Sequence, residues 1–198
     1  MPLARLRAVS RWILLAGGFL IVVACALIVL EIVMRQVFRR SLGGVDELAG
    51  FALAVGTAWS FGAVLLDKSH VRIDTLYARF GERGKALLDI ASLTGTVVFV
   101  GMVVYFATQV LTTSMRFGAS SQSSLNIPKA VPQALWVAGL GWFLIVALVL
   151  LVACLVAAAR GDWRQVGRLA GAPDVEAELR AELANTQGRG HDASVREP

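Results

Sequence analysis

The sequence is poor in the residues that mark soluble, disulfide-stabilised or redox proteins. Charged residues make up only 17% of its 198 residues, against about 25% in soluble proteins. The two cysteines, Cys25 and Cys154, lie inside long apolar runs and form no redox or zinc motif. The two histidines lie outside those runs, which excludes a haem held by two histidines within a membrane. Since no nucleotide-binding glycine loop or nucleic-acid-binding face is recognisable either, we expect no catalytic residue, metal, cofactor or nucleic-acid partner.

Long apolar runs dominate what the sequence does contain. Apolar residues make up 57% of the chain, and its mean hydropathy is +0.67. Four runs carry no charge in their central turns, and each supplies the roughly 20 helical residues needed to cross a hydrocarbon core. We therefore predict an all-α integral membrane protein with a membrane domain over 12–159 and transmembrane helices at about 12–34, 48–66, 87–110 and 133–159. An N-terminal segment (1–11) and a polar, partly disordered tail (160–198) flank this domain.

The basic residues predict the orientation of the spans. Eleven lysines and arginines flank one side of the membrane: Arg5, Arg7, Arg11, Lys68, Arg72, Arg79, Arg83, Lys85, Arg160, Arg164 and Arg168. Five flank the other side: Arg35, Arg39, Arg40, Arg116 and Lys129. Because cytoplasmic flanks carry the excess of positive charge, we predict that both termini are cytoplasmic.

Two of the connections carry recognisable patterns. Between spans two and three, the spacing of Ile73, Leu76, Tyr77 and Phe80 predicts a short amphipathic helix lying at the cytoplasmic interface. Between spans three and four, Ser120, Ser121, Ser123 and Ser124 predict an exposed extracytoplasmic loop. The first of these two connections, residues 67–85, is therefore not expected to be plain loop.

The second span carries two rows of small residues, which allow helices to approach closely. One row is Gly50, Ala54, Ala58 and Gly62, and the other is Ala52, Gly56 and Ser60. At about 100° per residue, the two rows are centred on opposite sides of the helix. We predict that this span lies between two neighbours, and that bulky residues at Ala54, Ala58 or Gly56 disturb assembly more than at Val146 or Leu150.

Acidic residues lie only at the ends of the spans. Glu31 precedes Arg35 by four residues, the favourable order for an ion pair on a helix. Asp46 and Glu47 open the second span, where the positive end of the helix dipole favours carboxylates. Arg35 and its neighbours lie on the side that the charge rule disfavours. They are either tolerated exceptions or are held by carboxylates of this chain or of a partner.

The ordered set of these features resembles the small membrane subunit, of the DctQ type, of tripartite ATP-independent periplasmic (TRAP) transporters. The resemblance extends over about residues 12–159. Its elements are Met34–Leu42 with Arg35 and Phe38, the pair Asp46 and Glu47, Gly62-Ala63, Ser69–Asp74 with His70 and Asp74, and Ile127-Pro128 with Pro132. The chain departs from the family in having Asp-Glu rather than Glu-Glu, and Val45 where tryptophan is frequent.

The resemblance implies a non-catalytic subunit of a transporter in the bacterial inner membrane. In such a system a periplasmic binding protein captures an organic anion, often a carboxylate, and delivers it to a large multi-span subunit. That subunit uses a sodium gradient rather than ATP. The present chain would brace it, with Arg35, Asp46, Glu47, His70 and Asp74 shaping its ends or contacting the partner or lipid headgroups.

Two other functions remain open from the residues alone. The main one is an autonomous homodimeric multidrug-type transporter, which needs a carboxylate deep in its first span. Glu31 lies about 20 residues into that run, near the outer edge, so its position suits such a mechanism poorly. The other is a membrane enzyme or redox subunit.

Overall fold

The computed structural model describes residues 2–41, 43–67, 80–121, 123 and 125–171, and its regular elements there are helices. They are α1 (Pro2–Val37), α2 (Val45–Leu66), α3 (Glu82–Arg116), α4 (Ala130–Ala159) and the short α5 (Trp163–Ala170). The four long helices are apolar enough to cross a membrane. For these residues, the prediction of an all-helical protein with four membrane-length helices is confirmed.

Each long helix contains one of the apolar runs and extends beyond it into polar sequence. The helix α1 begins at Pro2, where the missing N–H is no loss because the first turn has no intrahelical acceptor for it. The helix α3 starts at Glu82, several residues before the charge-free run. The predicted interfacial helix falls mostly within residues 68–79, and most of the tail within 172–198, and both stretches lie outside the described residues.

The helix α4 is at the centre of the bundle. It contacts α2, α3 and α5, whereas α1 packs mainly on α2. Its residues Val146, Ala147 and Cys154 have no exposed surface. Val146 and Leu150 are core residues whereas Ala54 is exposed, so within the isolated chain we expect bulky replacements to be less well tolerated at Val146 and Leu150 than at Ala54, the reverse of the order predicted from the small-residue rows.

The helix α2 lies between α1 and α4, and its contact with α1 depends on two glycines. A Cβ atom built on Gly17 would lie 3.0 Å from the carbonyl oxygen of Gly56, and one built on Gly56 would lie 3.1 Å from that of Gly17. Ser60 donates its hydroxyl hydrogen to the Gly56 carbonyl at 2.7 Å, so its polar group is satisfied within α2. The two backbones approach here because neither glycine carries a side chain.

The contact between α2 and α4 includes two reciprocal tryptophan–glycine pairs. Trp59 of α2 covers Gly139 of α4, where an added Cβ would be 2.7 Å from the indole. One turn further along, Trp142 of α4 covers Gly62 of α2, at 2.9 Å. The indole Nε1 of Trp59 also donates to the carbonyl oxygen of Leu135 at 2.9 Å. The matching offsets show that the two helices run parallel, which places equivalent residues side by side.

The small-residue rows wind around α2, so the members of one row face different neighbouring helices. Ala58 is buried beside Ala107 and Leu140, and Gly62 lies under Trp142, whereas Gly50 lines a groove beside α1. Residues four apart advance by about 40° on a helix with 3.6 residues per turn. A row of four therefore rotates by about 120° from one end to the other, which turns its first member towards α1.

The short helix α5 folds back against α3 and α4. Asp162 caps it, because its carboxylate accepts a hydrogen bond from the backbone N–H of Gln165 at 2.9 Å. Val166 and Ala170 are buried in the cluster that includes Cys154, while Arg164 and Glu82 form an exposed ion pair at 3.5 Å. The described amphipathic helix thus follows the fourth span, within the segment predicted to be a polar tail, where Trp163, Val166 and Leu169 alternate with Arg164 and Arg168 as suits a membrane surface.

Candidate interaction site at the Glu47 end

The end of the bundle formed by the last turns of α1, the first turn of α2 and the loop 117–129 is here called the Glu47 end. Its first feature is the ion pair predicted between Glu31 and Arg35. Arg35 Nη2 donates to Glu31 Oε1 at 2.9 Å, and the hydroxyl of Ser41 donates to the same oxygen. Glu31 is only 4% exposed, so these donors compensate a carboxylate taken out of water. The hydrogen bond from Ser41 thus holds the turn that follows α1 against the last turns of α1.

The second feature joins α2 to the loop between α3 and α4. The hydroxyl of Ser121 donates to Glu47 Oε2, and it lies 2.7 Å from the hydroxyl of Ser123. Ser121 is buried, at 6% exposure, so the expectation of an exposed loop is wrong for this residue. A buried hydroxyl needs a partner, and the nearest strong acceptor is the carboxylate that opens α2. The serine-rich composition alone does not reveal which serine is buried and bonded to Glu47.

The two glycines between α1 and α2 make room for this loop. Gly43 and Gly44 have φ angles of 70° and 81°, in the left-handed region that glycine adopts without steric cost. A Cβ atom on Gly44 would also lie 2.6 Å from the side chain of Leu125. The glycine pair is thus required both by the turn and by the loop that packs on it.

The loop itself is held by a short antiparallel bridge between Ser120 and Pro128. Ser121 N–H donates to the carbonyl of Ile127 at 2.8 Å, and Lys129 N–H donates to that of Ala119 at 2.9 Å. Pro128 therefore precedes α4 rather than opening it, and its carbonyl accepts a hydrogen bond from Val131 N–H at 3.1 Å. Proline fits because its missing N–H is not needed in this bridge.

The other residues of the family pattern separate into internal and external ones. Phe38 is 61% exposed just after α1, and Asp46 is exposed in the first turn of α2. Gly62 is buried within the α2–α4 contact. His70 and Asp74 lie outside the described residues, so the structure does not place them. The Glu47 end therefore brings Arg35, Glu47 and Pro128 into its own framework and leaves Phe38 and Asp46 on its surface.

A comparison with protein families gives one match, and it decides the assignment. The family model described as Tripartite ATP-independent periplasmic transporters, DctQ component, matches residues 24–158. The chain belongs to the DctQ family. A search of curated proteins and a search of solved structures gave no match.

DctQ proteins are the small membrane components of TRAP transporters in the inner membrane. The match and the four membrane-length helices place this chain there as a multi-pass protein. As its name says, the system is tripartite, which implies a large membrane subunit and a periplasmic binding protein as partners. The matched range includes both polar clusters of the Glu47 end and stops before α5.

Proposed function

We propose that this chain is the non-catalytic small permease subunit of a sodium-driven symporter that takes up an organic anion such as a carboxylate. The observation that carries the proposal is the DctQ match over residues 24–158. It is supported by the distribution of charge, because the four spans have no Asp, Glu, Lys, Arg or His in their central turns. Ionisable residues inside a membrane usually mark the path of a substrate or ion. The ion and substrate sites therefore belong to the large subunit.

We infer that the chain braces that subunit. The Glu47 end is fastened by bonds from Ser41 and Ser121 to carboxylates, which makes it a preformed surface. Large apolar side chains remain exposed along α1, among them Trp12, Phe19 and Val22, and these require lipid or a protein neighbour. Both termini are cytoplasmic in this proposal, so the Glu47 end faces the periplasm, where the binding protein docks.

Co-purification tests the assignment directly. The chain carries a C-terminal tag, native membranes are solubilised gently, and the proteins that accompany it are identified. We expect a much larger multi-span membrane protein in a fixed ratio. Recovery only as a homo-oligomer, under conditions in which other membrane complexes survive, would contradict the proposal and return attention to Glu31.

The energy source has its own test. The three components are reconstituted so that uptake of a labelled organic anion into vesicles can be followed under an imposed sodium gradient. We expect uptake that stops when the gradient is collapsed and that is unchanged by ATP. Uptake that persists without sodium would contradict the sodium-driven mechanism while leaving the subunit assignment intact.

Phe38 and Asp46 are the residues of the family pattern that we place against a partner, because both are exposed at the Glu47 end. Phe38→Ala should lower the amount of large subunit that co-purifies. Phe117→Ala is the matched control, since Phe117 is 82% exposed at the same end but lies outside the family pattern. Equal losses from both variants would show that Phe38 has no special part in the contact.

A further inference from the structure

A cavity of about 480 Å³ opens at the other end of the bundle, between the start of α1 and the end of α2. Its polar lining comes from Arg7, Ser10, Arg11 and Asp67, and its apolar lining includes Leu14 and Leu66. None of these residues takes part in the Glu47 end or in the family pattern. The cavity therefore requires an explanation of its own.

Ser10 is the most informative residue of this cavity. Its side chain is 1% exposed, and its hydroxyl has no hydrogen-bond partner in the described part of the chain. Other hydroxyls on these helices donate to the carbonyl one turn earlier, as Ser60 and Thr94 do at 2.7 Å. A buried hydroxyl without any partner is uncommon in native proteins. Ser10 is therefore available to a ligand inside the cavity.

The charges of the cavity favour an anion. Arg7 and Arg11 are one helical turn apart, and neither forms an ion pair within the described residues. With Asp67, the lining carries a net charge of one positive unit, which a single phosphodiester would balance. Guanidinium groups also match phosphate geometrically, because each can donate two parallel hydrogen bonds.

The position of the cavity selects the source of that phosphate. Arg11 directly precedes the charge-free run that begins at Trp12, so the arginines lie where the apolar part of α1 starts. Leu14 and Ala63 continue the lining into the apolar part of the bundle. A free phosphate gains nothing from such a wall, whereas a lipid places its headgroup at the arginines and its acyl chains along the wall.

We propose that this cavity binds the headgroup of an anionic phospholipid, with its phosphodiester held by Arg7, Arg11 and the hydroxyl of Ser10. Basic pockets between membrane helices are known to recognise anionic headgroups in this way. The bound lipid would fill the space between the start of α1 and the end of α2, next to the interface that these helices form around Gly17 and Gly56. The lipid thus becomes part of the packing of the least buried helix.

Photolabelling tests the proposal on the full chain, in the complex in which it is isolated from native membranes. The probe is phosphatidylglycerol with a photoreactive headgroup in vesicles of neutral phospholipid, and labelled peptides are identified by mass spectrometry. We expect labelling at the start of α1. Arg7→Gln with Arg11→Gln should lower the affinity roughly thirtyfold, given about 1 kcal/mol per basic residue at a membrane surface. Ser10→Ala should lower it severalfold without changing the charge.

A matched control carries the same change of charge at the same end of the bundle. Arg160→Gln with Arg168→Gln removes two exposed arginines outside the cavity, and labelling of α1 should be retained. Competition by unlabelled phosphatidylglycerol but not by inorganic phosphate would support a lipid site. Equal labelling of all variants, or equal competition by phosphatidylethanolamine or inorganic phosphate, would overturn the proposal. Labelling that appears only after the large subunit has been removed would also overturn it, in favour of a protein partner at the cavity.

Discussion

The helices α1 and α4 are equally apolar but occupy opposite positions in the bundle. Their most hydrophobic windows have nearly the same mean hydropathy, yet 39% of that window is buried in α4 and only 11% in α1. Hydropathy cannot predict which helix is buried. Lipid tails are as apolar as a leucine side chain, so moving an apolar side chain from lipid to a helix contact gains no hydrophobic free energy. What distinguishes them is the number of close helix neighbours, which depends on glycines and aromatic rings at specific positions.

The comparison also shows how the two helices are held. The helix α4 shares a doubled tryptophan–glycine contact with α2 and buries residues against α3 and α5. The helix α1 packs along α2, with the backbones close together at Gly17 and Gly56, and exposes much of its remaining surface. A change at the α4 contact should therefore disturb the whole bundle, whereas a change at the α1 contact should loosen one helix.

The largest effect is expected from Gly139→Leu in α4. The new side chain would meet Trp59, whose indole lies 2.7 Å and backbone nitrogen 3.0 Å from the position of an added Cβ. Because the backbone of α2 cannot rotate away as a side chain can, the free energy of unfolding should fall by about 3 kcal/mol. Unfolding of the purified protein in a denaturing detergent measures this loss.

Gly141→Leu is the control for that prediction. Gly141 lies on the same helix, and an added Cβ there has no neighbouring atom within 4 Å. Its replacement should not lower the free energy of unfolding, and the gain in helix propensity, up to about 1 kcal/mol, is common to both variants and cancels between them. Similar losses from both glycines would show that the tryptophan–glycine pairs do not hold α4 in place.

The next effect comes from Ala58→Leu, measured against Ala54→Leu one turn earlier. Ala58 is 1% exposed and packs beside Ala107 and Leu140, so added atoms have no free space. We expect a loss of about 2 kcal/mol for this overpacking. Ala54 is exposed, and its replacement should be nearly neutral in the isolated chain. Thermal unfolding followed by size-exclusion chromatography compares the stabilities of the two variants. A greater loss of stability from Ala54→Leu would contradict the assignment of Ala58 to the contact with α4.

The number of spans could be predicted from the sequence, but their burial could not. Run length and the absence of central charges are sufficient to identify helices that cross a membrane. The burial of Val146 and Leu150 depends on which helices surround α4, and this is determined by distant parts of the chain. The same holds for Ala54, which belongs to the predicted small-residue row but faces outwards because the row rotates around the helix.

The hydrogen bonds and ion pair of the Glu47 end could be predicted from the sequence only in part. The pair of Glu31 with Arg35 follows from their spacing on one helix, so the sequence was sufficient to predict it. The bond from Ser121 to Glu47 joins residues 74 positions apart and needs the fold to bring them together. The sequence does show two carboxylates in the first turn of α2 and serines spaced two apart in the later loop. Neither pattern indicates which carboxylate bonds to which serine.

A smaller effect is expected from Gly17→Ala in α1, judged against Gly18→Ala. Both changes improve helix propensity by about 1 kcal/mol, so that contribution cancels between them. Only the Gly17 variant places a methyl group 3.0 Å from the carbonyl of Gly56, since an added Cβ at Gly18 meets nothing within 4 Å. Gly17→Ala should therefore be less stable than Gly18→Ala by about 1 kcal/mol in detergent unfolding. Equal stability would contradict this prediction and show that the close approach of Gly17 to Gly56 does not hold α1 on α2.

The smallest effect is expected from Ser121→Ala, and it tests how the end of α3 and the start of α4 are joined to α2. The variant removes the hydrogen bond to Glu47 and those that the same hydroxyl forms with the hydroxyl and backbone N–H of Ser123. Because water can replace the lost donor at the half-exposed Glu47, we expect a smaller loss of stability than for the changes above. Ser120→Ala is the control, because Ser120 is exposed in the same loop. Hydrogen exchange should show faster exchange at the amides of Ser121 and Lys129 in the Ser121 variant alone. If amide exchange in α1 became faster by as much as in this loop, the bond from Ser121 to Glu47 would stabilise the whole bundle rather than only the loop that leads into α4.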